Sequence, residues 1–232
     1  MKFYDFALSV LRLFCRVFFK YEVIGIENVP LEGNVIIAAN HKSNLDPIFV
    51  ASSMTTREVA AVAKKELFDH KILGFILKKL NTIPIDRENT GISTVKQILR
   101  AIKDGYVLGL FPEGTRVKGK EFGQAKAGLS LFASKGKANV VPISVISSYK
   151  LFSRVKIYIG EPIDMSQYFR AKLTNEDHER ISEEVMQVII KNYCEQADGI
   201  VDVEGIKYNA YASIGGNYEY KDIRKSRILF WC

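Results

Sequence analysis

Apolar residues fall along this chain in two spacings. An unbroken, β-branched run occupies residues 34–39 and leads into Asn40, and further largely apolar runs lie at 106–110, ahead of Phe111-Pro112, and at 139–145, with a shorter one at 82–85. Such runs read as buried strands that end in turns. Other stretches repeat every three to four residues and read as helices. Between residues 64 and 80, Leu67, Phe68, Ile72, Phe75, Ile76 and Leu80 form one apolar stripe, ringed by Lys64, Lys65, Lys71, Lys78 and Lys79. Residues 175–197 carry Ile181, Val185, Val188, Ile189 and Tyr193 on one face, and Asp198-Gly199 supplies the stop. Strands alternating with helices predict an α/β fold.

The N-terminal stretch has a different polarity. At about 100° per residue, Lys2, Asp5, Ser9, Arg12, Arg16 and Lys20 fall within an arc of about 80°, and the rest is mostly Phe, Leu, Val or Tyr. A spanning helix needs about 20 uncharged apolar residues, and Arg12 and Arg16 interrupt that pattern. They also break the apolar core of a signal peptide. The segment is therefore expected to be an amphipathic helix lying in a membrane interface. Three segments follow: residues 1–20 as the interfacial helix, 21–198 as the catalytic domain, and 199–232 as a tail of unknown role. The tail, with Gly215-Gly216-Asn217 and a basic, apolar ending, could be a hairpin on the domain, a membrane-touching end or an oligomer contact.

Composition narrows the class further. A chain of 232 residues, 47% hydrophobic and 25% charged, suffices for one enzyme-sized core. Its net charge of +7 suits a nucleic acid or an anionic membrane surface equally, and the N-terminal helix selects the membrane, with no nucleic-acid partner expected. Cys15, Cys194 and Cys232 show neither metal-ligand nor disulfide spacing, as expected for a reducing compartment.

The strand-to-turn junctions carry the chemistry. Residues 39–47 read Ala-Asn-His-Lys-Ser-Asn-Leu-Asp-Pro, placing His41 and Asp46 just beyond a central strand, where open α/β sheets hold their sites. On a continuous helix these two would point about 140° apart, so they meet only if the backbone turns, and Ser43, Asn44 and Pro47 favour a turn. A His held by a carboxylate is a general base and its orienter. Residues 111–116, Phe-Pro-Glu-Gly-Thr-Arg, add Glu113 and Arg116 at a second junction, and Ile85-Asp86-Arg87 ends a third. His70 sits in no such context and reads as an ordinary histidine.

Taken in order, these blocks resemble the glycerolipid acyltransferases typified by 1-acyl-sn-glycerol-3-phosphate acyltransferase, the PlsC or lysophosphatidic acid acyltransferase family. The match rests on Asn40-His41 through Asp46, Ile85 to Arg87, Phe111 to Arg116 and Val141-Pro142-Ile143, with support from residues 63–67 and 126–128. It covers roughly residues 20–165 and implies a mixed central sheet flanked by helices. It also implies acyl transfer from acyl-CoA or acyl carrier protein to lysophosphatidate, yielding phosphatidate, with no metal and no further cofactor. His41 would take the acceptor's proton and Asp46 would fix its tautomer. Arg87 and Arg116 would hold the phosphate, with Lys64 as an additional cation, because arginine's planar fork matches phosphate. Glu113 would orient an arginine or the glycerol hydroxyl, and Gly114 would admit close backbone approach. Pro142, expected to end or edge a strand, is tied to the donor side by the resemblance alone. The expected location is the cytoplasmic face of the cell membrane, peripheral or monotopic.

Three other readings stay open on sequence. The same chemistry could act on glycerol 3-phosphate or another lysolipid. A metal-dependent phosphoesterase could use His41, Asp46 and Glu113 as ligands, although it calls for more strand-end ligands. A non-catalytic basic membrane binder would account for the charge but gives no reason for the ordered His, Asp, Glu and Arg.

Overall fold

The computed structural model describes residues 3–86, 91–210 and 219–222, with side chains described for 3–86 and 91–206. Its centre is a seven-stranded sheet in the order β1-β8-β7-β2-β5-β3-β4. The strands are β1 (Lys20–Ile24), β2 (Val35–Ala39), β3 (Val59–Lys64), β4 (Ile83–Ile85), β5 (Val107–Leu110), β7 (Asn139–Ser147) and β8 (Arg154–Ile159). Only β7 and β8 pair antiparallel, so the sheet is mixed as expected. β2 lies in the middle and is buried along its whole length. Its unbroken apolar sequence reflects cover on both faces.

The strand alternation divides the core in two. Val35, Ile37 and Ala39 face a cluster containing Cys15 from α1 (Phe3–Phe18) and Phe49 from α2 (Asp46–Ser53). Ile36 and Ala38 face the other cluster, built with α4 (Ile92–Lys103), α5 (Gly128–Gly136) and α6 (Asn175–Glu195). The closing helix matches its sequence pattern: Ile181, Val185, Ile189 and Tyr193 are buried, and a Thr174–Asp177 capping box starts it.

The chain departs from its sequence pattern in three places. The stripe at residues 64–80 is not one helix but a 3-10 turn, Lys65–Phe68, followed by α3 (Lys71–Lys79). His70 caps α3, its Nδ1 accepting from Leu73 N at 3.4 Å. Gly74 lets the turn fold back on α3, since a Cβ there would lie 2.4 Å from the Phe68 carbonyl oxygen.

Pro142 neither ends nor edges a strand. It lies inside β7, between β2 and β8. The β7–β8 ladder begins one residue later at Ile143↔Ile159, and the next pairing back is the isolated bridge Val140↔Ile163. Pro142 occupies that interruption, where its missing N–H costs no ladder bond, and its carbonyl accepts from Gly160 N at 2.8 Å.

The polar arc of α1 is also split. Arg12 turns inward, its guanidinium donating to the Ser52 and Met54 carbonyls at 3.2 and 2.8 Å, where it caps the C-terminal end of α2. Tyr4, Leu8 and Cys15 are buried beside it. The opposite side of the helix bears Phe3, Phe6, Val10, Leu13 and Val17, all exposed. α1 thus has two apolar faces, one docked on the domain and one open.

Within the tail, β9 (Lys207–Ala210) and β10 (Glu219–Asp222) pair antiparallel, and β9 joins β6 (Glu121–Phe122). Of the three uses open on sequence, this corresponds to the hairpin. Gly215-Gly216-Asn217 and residues 223–232 lie outside the described residues.

Candidate active site

Three adjacent parallel strands, β7, β2 and β5, deliver their carboxyl ends to one edge of the sheet. Asn40 leaves β2 fully buried and ties it to β7, its amide donating to the Val145 carbonyl at 3.1 Å and its oxygen accepting from Val145 N at 2.8 Å. The strand end is pinned before the turn begins. The turn then closes on the Asp46 carboxylate, the first residue of α2. Asp46 Oδ2 accepts from the backbone N–H groups of Lys42 and Ser43, each at 2.6 Å, and lies 3.1 Å from His41 Nδ1. Its other oxygen accepts from the Tyr149 hydroxyl at 2.7 Å. The backbone turn that the His41–Asp46 spacing requires is therefore present, and it is held by the carboxylate itself.

His41 is sandwiched in position. Its ring stacks on Phe111, with centroids 4.1 Å apart and planes 19° from parallel. Its backbone N–H donates to Glu113 Oε1 at 3.0 Å, and its carbonyl accepts from Val117 N at 2.9 Å. Lys42 points the other way. Its ammonium donates to the Gly119 and Glu121 carbonyls at 3.0 and 2.8 Å and lies 3.8 Å above the Phe122 ring. Burial holds the Lys42 ammonium down to about 8, against the partial support of Glu113 and Asp46.

Glu113 is 2% exposed and uses both oxygens on backbone, His41 N at 3.0 Å and Gly123 N at 3.2 Å. It is a strut between the turn and the segment approaching α5. Burial pushes its carboxyl up to about 7, although the two N–H donors favour the charged form. Gly114 is explained by its backbone: φ is +67°, a left-handed conformation suited to glycine, while a Cβ would meet Lys126 only at an ordinary 3.5 Å.

The remaining sequence-derived residues lie at different distances from His41. Arg116 is exposed beside the turn, its Nη1 donating to Asn44 Oδ1 at 2.6 Å. Lys64 ends β3 on the same sheet edge, exposed and paired with Glu66 at 3.1 Å. Pro142 is in register with Ala38, three residues before His41 and so about 10 Å back along the strand. Arg87 lies outside the described residues; the strand leading to it, β4, is three positions from β2. Sequence reasoning gave Asn40 and Lys42, inside the first block, no role of their own, and it missed Tyr149. Tyr149 is 103 residues from the carboxylate it bonds, and nothing local in the sequence signals it. Among the described residues no cluster of three His, Cys, Asp or Glu could hold a metal ion.

The strut gives the site a signature in stability. Because burial raises the carboxyl of Glu113 above its unfolded value, the unfolded chain releases its proton first as pH rises. Its contribution is full below about pH 4.5 and declines until about pH 7. Glu113→Gln keeps one N–H acceptor and loses the other. Its stability deficit against the parent protein should shrink by on the order of 2 kcal/mol between about pH 5 and pH 7.5, measured by urea unfolding. A deficit unchanged across that range would show that Glu113 does not titrate there.

Comparison with known proteins identifies the family. The family model described as Acyltransferase matches residues 20–146. The 1-acyl-sn-glycerol-3-phosphate acyltransferase of Bacillus subtilis (strain 168) is 33% identical over 170 residues, covering 71% of this chain and 84% of that protein. The enzyme of the same name from Streptococcus pneumoniae is 29% identical over 158 residues, covering 66% of this chain and 58% of that one. The crystal structure of the Thermotoga maritima 1-acyl-sn-glycerophosphate acyltransferase, PlsC, superposes with a TM-score of 0.66 over 82% of this chain and 80% of its own, at 24% identity, a likeness of fold. With a family match over more than half its length and the Bacillus relative beside it, this chain belongs to the acyltransferase family typified by 1-acyl-sn-glycerol-3-phosphate acyltransferase.

Proposed function

We propose that this acyltransferase moves a fatty acyl group from a thioester, acyl-CoA or acyl carrier protein, to the free hydroxyl of 1-acyl-sn-glycerol 3-phosphate, giving phosphatidate. The observation that carries the reading is the His41 Nδ1 to Asp46 Oδ2 contact of 3.1 Å at the carboxyl end of the central strand. With Nδ1–H directed at the carboxylate, Nε2 is the basic atom. It takes the proton of the acceptor hydroxyl as that oxygen attacks the thioester carbonyl. The C–O bond forms, the C–S bond breaks, and the proton leaves with the thiol. The names of the Bacillus and Streptococcus relatives support lysophosphatidate as acceptor.

Direct transfer needs no nucleophile from the protein. Ser43 supports this, since its Oγ accepts from Leu45 N at 3.2 Å within the turn. Arg116 is the described residue best suited to the acceptor's phosphate, through a charge-assisted fork beside the turn. Arg87 and Lys64 are assigned to the same anion, Gly114 and Glu113 to shaping the turn, and Pro142 to the donor side. The reaction calls for no cofactor beyond the thioester.

The acceptor and product are lipids, and the open face of α1 supports membrane association at the cytoplasmic surface. Phe6, Leu13 and Val17 are 53%, 63% and 54% exposed, and Phe3 meets Phe75 of α3 with ring centroids 6.3 Å apart. Ile72 and Phe75, at 70% and 58% exposure, extend the apolar surface. Lysines 71, 78 and 79 on α3, with Arg16 of α1, suit anionic headgroups. Among the described residues no helix is long and apolar enough to cross a membrane. Residues 1–20 are read as the interfacial element, 21–198 as the catalytic domain and 199–232 as an accessory tail.

Three outcomes test these assignments. Purified protein on anionic liposomes containing lysophosphatidate, offered acyl-CoA and acyl carrier protein thioesters in parallel, forms phosphatidate, and His41→Ala lowers the rate at least about a hundredfold. Failure with both donors in folded protein would redirect the search to other acceptors. In the same assay Arg116→Ala raises the acceptor KM at least about tenfold more than the donor KM; equal changes would remove the phosphate role. Deleting α1 would strip Tyr4, Leu8 and Cys15 from the core, so the membrane claim is better tested with Leu13→Asp. That variant sediments with anionic vesicles at least about fivefold less while its thermal unfolding is unchanged; equal sedimentation would take α1 out of the interface.

A further inference from the structure

We infer that Tyr149 is a positioning residue for the proposed reaction: its hydroxyl fixes the Asp46 carboxylate so that one oxygen is reserved for His41. The inference rests on the general-base reading above and adds a residue to it. Two backbone N–H groups and the imidazole converge on Oδ2, whereas Oδ1 receives the Tyr149 hydroxyl at 2.7 Å. Without a donor on Oδ1, only the contacts to Oδ2 oppose rotation of the carboxylate plane about χ2, a soft torsion. Rotation would move Oδ2 away from the imidazole and loosen the tautomer it holds.

The backbone is shaped to bring this hydroxyl in. Tyr149 has φ +59°, a left-handed conformation that a bulky residue rarely adopts. Its N–H donates to Ser147 Oγ at 2.8 Å, which secures that bend as β7 ends. The ring lies nearly parallel to buried Phe49, with centroids 6.4 Å apart and planes within 18°. Strain, a local hydrogen bond and ring packing all serve to aim one hydroxyl at Asp46. Burial, reinforced by the charge of Asp46, pushes the phenol above its ordinary range, so it remains a donor throughout the working pH range.

Tyr149 also separates the carboxylate from solvent. A cavity of about 570 Å³, lined by Tyr149, Lys42, Ser43, Phe122 and Tyr193 among others, borders the turn without being lined by His41. The phenol stands between that space and Asp46 Oδ1. A water entering from the cavity could bond the same oxygen, but it would not carry the fixed direction that the ring imposes.

Tyr149→Phe keeps the ring, its packing and the backbone bend while removing the donor. On the full-length protein with vesicle-borne acceptor, it should lower kcat about tenfold and leave both KM values within about twofold. In an Asp46→Ala background the same substitution should change kcat less than about twofold, because there is no carboxylate left to position. In proton NMR spectra, the downfield resonance of the His41 Nδ1–H should move in Tyr149→Phe. An unchanged kcat, an equal tenfold loss in both backgrounds, or an unmoved resonance would each overturn the inference. If Tyr149→Phe does not accumulate as folded protein, Ser147→Ala loosens Tyr149 through its backbone and is held to the same coupling and the same resonance shift. A parent protein inactive on every acceptor, with the resonance still displaced, would fail the proposed reaction and keep the positioning role.

Discussion

A carboxylate with no exposed surface costs several kcal/mol unless its lone pairs are answered, and the site is arranged around answering those of Asp46. Two of its partners come from the turn that it closes, one from the His41 imidazole, and one from the end of a strand 103 residues away. Its place in the first turn of α2 adds the favourable end of the helix dipole. Loop, helix and sheet therefore meet in a single side chain. The histidine it bonds is thereby held in one geometry.

Outside that carboxylate, the turn is braced on three sides. Asn40 locks its start to β7, Glu113 links its backbone to Gly123, and the Lys42 ammonium is held by the 119–121 carbonyls. Each brace is buried and polar, a combination that is stable only when fully bonded. Burial of Glu113 and Lys42 opposes their charged forms, so part of the protein's stability is given up to keep the turn rigid. Such rigidity suits the proposed reaction, because proton transfer from a hydroxyl tolerates little error in the position of a base.

Much of this was legible in the chain. The central strand, the turn at 40–46, the second junction at Phe111 and the closing helix follow from apolar runs punctuated by Pro, Gly and Asn, because β2 and β7 are covered on both faces. What local pattern could not supply was partnership at long range. Glu113 is an acid at a strand end in either description, and only the fold shows that both its oxygens are spent on backbone. Tyr149 carries no local signature at all. The stripe at 64–80 misled because a 3-10 turn and a short helix share a helix-like spacing, and only the close approach of Gly74 to Phe68 marks the break. Arg12 looked like part of a solvated face until it was seen capping α2.

The alternation of β2 reaches beyond the strand. Odd positions face α1 and α2, even positions face α4 to α6, and the same parity governs the turn: His41 turns to Phe111 and Asp46, while Lys42 turns to Phe122 and Tyr193. Which side chain faces which side is thus a matter of counting. Inserting or deleting one residue between Val35 and His41 would exchange the two side chains across the sheet, putting an ammonium where the imidazole belongs. Two such changes would restore the order of sides but shift the site along the strand by about 7 Å. The length of this segment is therefore as tightly constrained as its composition.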